Sequence, residues 1–248
     1  MIKLEDISIS YVEHIVLRNV TTEFRPGQLT ALIGRNGSGK STLLRAIAGL
    51  NHKYTGRIFI GDEEISRMKA PEMARRLAFV NTQRARIANL RCEDVVAIGR
   101  APYTNWIGRM QSEDREVVMR SLDSVGMSSY AQRTMDTMSD GECQRIMIAR
   151  ALAQSTPVIL LDEPTSFLDM PNRYELVDLL RRLAHEEGKT ILFSTHELDV
   201  ATQMCDNIAL IDNRSLHNLP VGEMIESGHI QRLFRLPERV VEALKPIS

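Results

Sequence analysis

Long hydrophobic runs are missing from this chain. None of its 248 residues belongs to an apolar stretch approaching the roughly 18 needed to span a bilayer. The opening Met1-Ile2-Lys3-Leu4-Glu5-Asp6 is charged and strand-like, unlike a secretory leader. The expectation is a cytoplasmic chain that reaches a membrane only if something else carries it there. Cysteine is scarce: Cys92, Cys143 and Cys205 are scattered, odd in number and without a C-x-x-C pair. That excludes a disulfide or zinc framework and fits reduced thiols. The six histidines are dispersed too. Formal charge is −1 and lysine and arginine form no block, so the electrostatic footprint of a nucleic-acid binder is absent. There is no low-complexity segment and no internal repeat. The length suits one large α/β domain, or a core carrying a subdomain.

What the chain does have is a phosphate-cradling loop. Gly34-Arg35-Asn36-Gly37-Ser38-Gly39-Lys40-Ser41-Thr42 fills every position of G-x-x-x-x-G-K-[ST]. At average residue usage such a match arises by chance about once in a hundred chains of this length. Its flanks supply the required context. Leu29-Thr30-Ala31-Leu32-Ile33 suits a buried strand, and Leu43-Leu44-Arg45-Ala46-Ile47-Ala48 has helical spacing. Glycines let successive N–H groups face phosphate oxygens, and the helix N-terminus adds its positive dipole end. Lys40 is expected to reach the β- and γ-phosphates, and Ser41 to ligate Mg²⁺.

Around this loop the sequence alternates. Ile7–Tyr11, Thr21–Phe24, Arg57–Ile60 and Leu77–Val80 read as strands. From about 91 to 154 strand patterns vanish, and Glu93–Gly99, Ser112–Val125 and Glu142–Ala153 read as helices, which suggests a helical insertion. The α/β rhythm resumes with a strand at Val158–Leu161, an amphipathic helix at Arg173–Glu187 and a strand at Thr190–Ser194. Ile208–Ile211 closes the series, and beyond Leu219 the pattern is helical.

Further residues are candidates for chemistry. Asp162 and Glu163 end a wholly apolar strand, where a charge needs a partner; beside a phosphate loop that partner is Mg²⁺ for Asp162, with Glu163 placed to take a proton from water. Ser139-Asp140-Gly141-Glu142 is an S-x-x-E capping box opening a helix. Capping suffices for that stretch taken alone, although the same helix N-terminus could also face an anion. His196 and Gln83 follow strand ends, where open α/β sheets bind ligands. Tyr11 by itself is a half-buried strand aromatic.

Taken together and in order, these motifs resemble the ATP-binding-cassette ATPases over essentially the whole chain. The resemblance implies that Tyr11 stacks on adenine and that Gln83 is the loop glutamine. It also implies that Met138–Glu142 is the signature stretch, that Asp162 and Glu163 are the carboxylate pair leading to Leu168-Asp169, and that His196 is the switch histidine. The signature departs from the common Leu-Ser-Gly-Gly-Gln: Met138, Asp140 and Glu142 replace Leu, Gly and Gln, while Ser139 and Gly141 stand. The added charge either weakens ATP-driven closure or is harmless because the side chains face away; the sequence leaves both readings open. Val95–Tyr103, with its Gly-Arg-x-Pro turn, looks most like the cassettes of iron–siderophore, haem and cobalamin importers.

The fold implied is a RecA-like P-loop NTPase α/β core with an antiparallel β flank and a helical subdomain inserted at about 84–154. The resemblance implies a homodimer in which Ser139, Gly141 and Glu142 act on the partner's ATP. Gly34, Arg35, Asn36, Gly37, Ser38, Gly39, Lys40, Ser41 and Thr42 would cradle the phosphates, and Ser41, Gln83 and Asp162 would arrange Mg²⁺. Glu163, His196 and Lys40 would carry catalysis. Partners would be integral-membrane permease subunits and, indirectly, a substrate-binding protein, at the cytoplasmic face of the cell membrane and without nucleic acid. The competing class is a soluble cassette ATPase acting on DNA, ribosomes or iron–sulfur assembly. Against it, the insertion lacks heptads and the chain carries one phosphate loop.

Overall fold

A computed structural model describes residues 1–11, 14–81, 89–104, 110–166 and 168–245. In chain order, β1 (Ile2–Tyr11), β2 (His14–Phe24) and β3 (Gln28–Gly34) lead into α1 (Lys40–Ile47). Then come β4 (Tyr54–Ile60), the short β5 (Glu63–Glu64), α2 (Ala70–Arg76) and β6 (Leu77–Val80). α3 (Cys92–Ala97), α4 (Ser112–Ser124) and α5 (Asp140–Ala153) precede β7 (Val158–Leu161), α6 (Met170–Glu187) and β8 (Thr190–Ser194). α7 (Leu198–Met204), β9 (Asn207–Asp212), β10 (Ser215–Pro220), α8 (Val221–Glu226), α9 (His229–Phe234) and α10 (Glu238–Ala243) complete the described chain.

Two sheets result. β2-β1-β4-β5 is antiparallel; the larger runs β10-β9-β3-β8-β7-β6, parallel except for its β10 edge. Strand alternation assigns the larger sheet's two faces. Leu32, Val158, Leu160 and Leu192 join Leu43, Leu44 and Ile47 of α1 and the inner face of the small sheet. Ile33, Ile159, Leu161, Ile191 and Phe193 face the other way, into a core shared with α3 to α7. α1, which begins where the phosphate loop ends, is thus held between two sheets. With both faces covered, the central strands can be nearly all apolar.

The helices between β6 and β7 carry a polar hub of their own. Arg100 Nε donates to Asp114 Oδ1 at 2.9 Å and its Nη1 to the Ala153 carbonyl at 2.9 Å, joining the Gly-Arg-x-Pro turn to α4 and to the end of α5. The guanidinium also lies 4.1 Å from the Tyr103 ring centroid. Gly99 permits the approach, because a Cβ there would collide with the Arg150 carbonyl. From α2, Arg75 donates through two nitrogens to the Pro102 carbonyl, fastening the turn to the core. The expected end of strand structure at Ile208–Ile211 is revised: β10 follows, a polar edge strand of Ser215–Pro220 whose Asn218 donates to the Glu23 carbonyl of β2 and so links the two sheets.

The Arg100 and Asp114 side chains retain only 11% and 8% exposure. Removing one member of a buried pair leaves the other uncompensated, so Arg100→Ala should lower unfolding free energy by about 3 kcal/mol. Arg181→Ala, which breaks an exposed pair with Asp178, should cost less than about 0.5 kcal/mol. Urea denaturation of both variants checks the contrast.

Candidate nucleotide site

The phosphate loop leaves β3 at Gly34 and enters α1 at Lys40. Its turn depends on backbone available to glycine: Gly39 sits at φ 103°, and a Cβ there would run into Val16 of β2. Lys40 is buried, with Nζ donating to the Gly34 carbonyl at 3.0 Å across the loop. Burial pulls its pKa down, and the nearby Glu163 and Asp162 carboxylates oppose that pull. Buried Ser38 Oγ has no hydrogen-bond partner.

β7 delivers the carboxylates. Asp162 is 2% exposed, and its Oδ1 accepts from Ser41 Oγ of α1 at 2.9 Å and from Ser194 Oγ of β8 at 2.7 Å. The Glu163 N–H donates to the same Ser194 hydroxyl at 2.9 Å, which places Ser194 between the two acids. Glu163 has a left-handed backbone, φ 48°, a strained conformation of the kind found at functional sites. Its Oε1 lies 2.9 Å from His196 Nε2. With Glu163 as a carboxylate, that contact puts the imidazole proton on Nε2. Behind His196, Glu197 Oε2 accepts from Thr165 Oγ1 at 2.8 Å and from Thr195 Oγ1, tying the loop after Glu163 to the loop of the histidine.

One pocket therefore gathers Asn36, Gly37, Ser38, Gly39, Lys40, Ser41 and Thr42 with Glu163 and His196. Neutral amides, a buried ammonium and an orphaned hydroxyl suit a polyphosphate. The oxygen donors Ser41 and Asp162 suit a hard divalent cation of the Mg²⁺ class. Arg35 contributes backbone to the loop, but its guanidinium turns away to the Leu233 carbonyl of α9 at 2.6 and 3.1 Å. Tyr11 ends β1, its side chain lying outside the described residues, as does Gln83.

Ser139, Gly141 and Glu142 lie apart from this pocket. With Asp140, Arg145, Leu168, Asp169 and Asn172 they line a separate one at the start of α5 and α6. Both halves of the capping box form: Glu142 N–H donates to Ser139 Oγ at 3.3 Å, and Ser139 N–H donates to Glu142 Oε2 at 2.8 Å. The Glu142 carboxylate is thus engaged by its own helix end. Arg145 links the two helices by donating to Asn172 Oδ1 at 2.6 Å and Glu175 Oε2 at 2.8 Å.

The residues that sequence reasoning passed over are Ser194 and Glu197. A serine closing the apolar run Ile191-Leu192-Phe193 was the available signal, since a fully buried hydroxyl needs a partner.

The family model for ABC transporters matches residues 17–166. An uncharacterized ABC transporter ATP-binding protein of Methanocaldococcus jannaschii is 39% identical over 216 residues, covering 87% of this chain and 74% of that protein. The achromobactin transport ATP-binding protein of Dickeya dadantii is 34% identical over 95% of this chain and 88% of its own length. The ferric enterobactin transport ATP-binding protein of Escherichia coli K12 is 32% identical over 96% of this chain and 88% of its own. Among solved structures, a transporter assigned to the metal-chelate type, in an inward-facing conformation, superposes with a TM-score of 0.83 at 28% identity, covering 95% of this chain and 89% of that one. A dimeric ATP-binding cassette in a post-hydrolysis state with ADP and Pi gives 0.78 at 27%, covering 89% and 99%.

The hydrogen bond from the Ser139 N–H, above all, holds the Glu142 pKa below its ordinary value. A group lowered on folding stabilises the fold fully above the ordinary carboxylate pKa of about 4.3 and loses that contribution as the pH falls through its folded value. Glu142→Gln can keep the capping bond without titrating. Acid unfolding followed by circular dichroism should therefore show a shallower loss of stability below pH 4.3 in Glu142→Gln, which at pH 7 should be slightly the less stable protein because it lacks the charge-assisted part of the cap.

Proposed function

Because this chain belongs to the ABC transporter family and is an ATPase of that family, we propose that it is the ATP-hydrolysing subunit of an importer for a metal chelate, with iron–siderophore complexes as the cargo class. The observation that carries the ATPase chemistry is the convergence of Lys40, Ser41, Glu163 and His196 on one pocket at the strand ends, with buried Asp162 hydrogen-bonded to Ser41. The cargo class is supported by relatives named for achromobactin and ferric enterobactin transport, and by the likeness to a metal-chelate type transporter. The Gly99-Arg100-Ala101-Pro102 turn agrees with it.

In this reading the amides of residues 34–42 and the Lys40 ammonium hold the triphosphate, and Tyr11 stacks on adenine. Ser41 and Asp162, with Gln83, are the residues that would hold Mg²⁺; when bound, the ion supplies charge neutralisation for the phosphates. Glu163 accepts the proton of the attacking water, oriented by His196 and by the Ser194 hydroxyl on its backbone. His196 also contacts the γ-phosphate. Ser139, Gly141 and Glu142 complete the ATP site of a second copy through the amino end of α5, with the Glu142 carboxylate serving as its cap. The helices at about 84–154 act as a subdomain.

No helix among the described residues is long and apolar enough to cross a membrane, so transport requires integral-membrane permease subunits. An apolar groove between β4, α2 and β6 supports their docking. Tyr54, Met68, Met73, Leu77 and Phe79 line it, and Leu50 at its rim is 64% exposed. The chain would then work as a homodimer on the cytoplasmic face of the membrane, with a substrate-binding protein delivering cargo from the other side.

Glu163→Gln should bind ATP yet hydrolyse it roughly 10²–10⁴-fold more slowly, the usual worth of a general base. It should elute as a dimer when ATP is present. Undiminished turnover in a malachite-green assay would remove Glu163 from the mechanism.

Expressed with its genomic neighbours, the chain should co-purify in mild detergent with a polytopic membrane protein and hydrolyse ATP faster in that complex. Deleting it should impair growth when iron is supplied only as a chelate. Co-purification with ribosomes or DNA instead would replace the importer reading with a soluble ATPase.

A further inference from the structure

Across Val16, Gly37 and Ser38 from the phosphate pocket, a second concavity opens between the β9–β10 turn and α9. Four arginines line it, Arg35, Arg214, Arg232 and Arg235, against a single acidic residue, Asp212. Among the described residues none of the four is paired with an acid. Arg35 is spent on the Leu233 carbonyl, and Arg232 Nη2 faces His229 Nδ1 at 3.1 Å. Burial, helped by His217 and Arg232, keeps the His229 pKa below its ordinary value, so this ring accepts and adds no charge. In a chain of net charge −1, this is a local excess of one sign.

The backbone beneath two of these arginines gives a second, independent indication. Arg214 follows Asn213 in the tight turn between β9 and β10, at φ 69° and 45°. Arg235 caps the end of α9 at φ 54°. Both are left-handed positions that glycine fills without steric cost. An arginine stands at each, and both line the same pocket.

We propose that this pocket binds a small phosphate-bearing anion, gripped by Arg214, Arg232 and Arg235. Guanidinium forks match phosphate oxygens in pairs, which favours this chemistry over a point-charge contact. The site is distinct from the nucleotide cradle but shares its wall.

Inorganic pyrophosphate is the probe, used on the full chain carrying Lys40→Ala to weaken binding at the phosphate loop. Calorimetric titration should saturate, and adding Arg214→Gly with Arg235→Gly should raise the dissociation constant at least tenfold. Because glycine accepts both backbone conformations, the melting temperature without ligand should not fall. Arg232→Gln, on the helix and away from either turn, should weaken binding in the same direction and gives a reading independent of the turns. Equal affinity in all these proteins, or no saturable binding in the Lys40→Ala chain, would overturn the proposal. So would arginine-dependent sedimentation with phosphatidylglycerol vesicles in the absence of pyrophosphate binding, which would make the pocket part of a lipid-facing surface.

Discussion

A carboxylate with almost no access to water holds this molecule's working parts in register. Asp162 ends a strand that is apolar throughout, and an ion there is costly unless hydroxyls or cations meet it. Ser41 meets it from α1 and Ser194 from β8, on the same oxygen. Three elements distant in sequence are therefore fixed at one atom. The backbone that follows, turned left-handed at Glu163, inherits its position from that junction and carries the second carboxylate to His196. Lys40 experiences the same neighbourhood from the other side, its burial countered by the two acids.

Local signals carried far in this sequence. The phosphate loop needed only its glycines, a strand before it and a helix after it, and the capping box at Ser139 needed only residues within one turn. α6 was readable from its amphipathic spacing over Arg173–Glu187, although it starts three residues earlier, at Met170, behind an Asp169 cap. What stayed hidden depends on partners far along the chain. β10 is made of Ser, His, Asn and Pro among its six residues and exists because β9 offers an edge and β2 an additional contact. The role of Ser194 comes from Asp162 and Glu163, about thirty residues earlier. Arg35 reads as one more loop residue until α9, nearly two hundred residues later, supplies the carbonyl that turns its side chain away.

The start of α5 shows what the acidic pair does within this chain's own fold. Asp140 and Glu142 look in the sequence like unwelcome charge at a phosphate-facing helix end. In the fold, Glu142 completes a cap that Ser139 begins, and Arg145 anchors the same helix to the start of α6. A rigid helix end is a requirement for presenting backbone amides to any anion, so in the proposed role toward a second copy's ATP the acid would contribute geometry while its charge opposed the ligand.

The position of β3 has a consequence for how the chain comes to be made. This strand lies at the middle of the larger sheet, and its parallel neighbours are β8 and β9. Roughly 160 residues separate Leu29 from its partner Ile191, an interval the ribosome covers in about 10–30 s. Throughout that time β3, already attached to the phosphate loop, has no native strand on either side. The first sheet, by contrast, can close as soon as β4 emerges. A nascent chain that is half assembled and shows an apolar, edge-exposed strand is a natural client for chaperones, and nucleotide binding can begin only once nearly the whole polypeptide has left the tunnel.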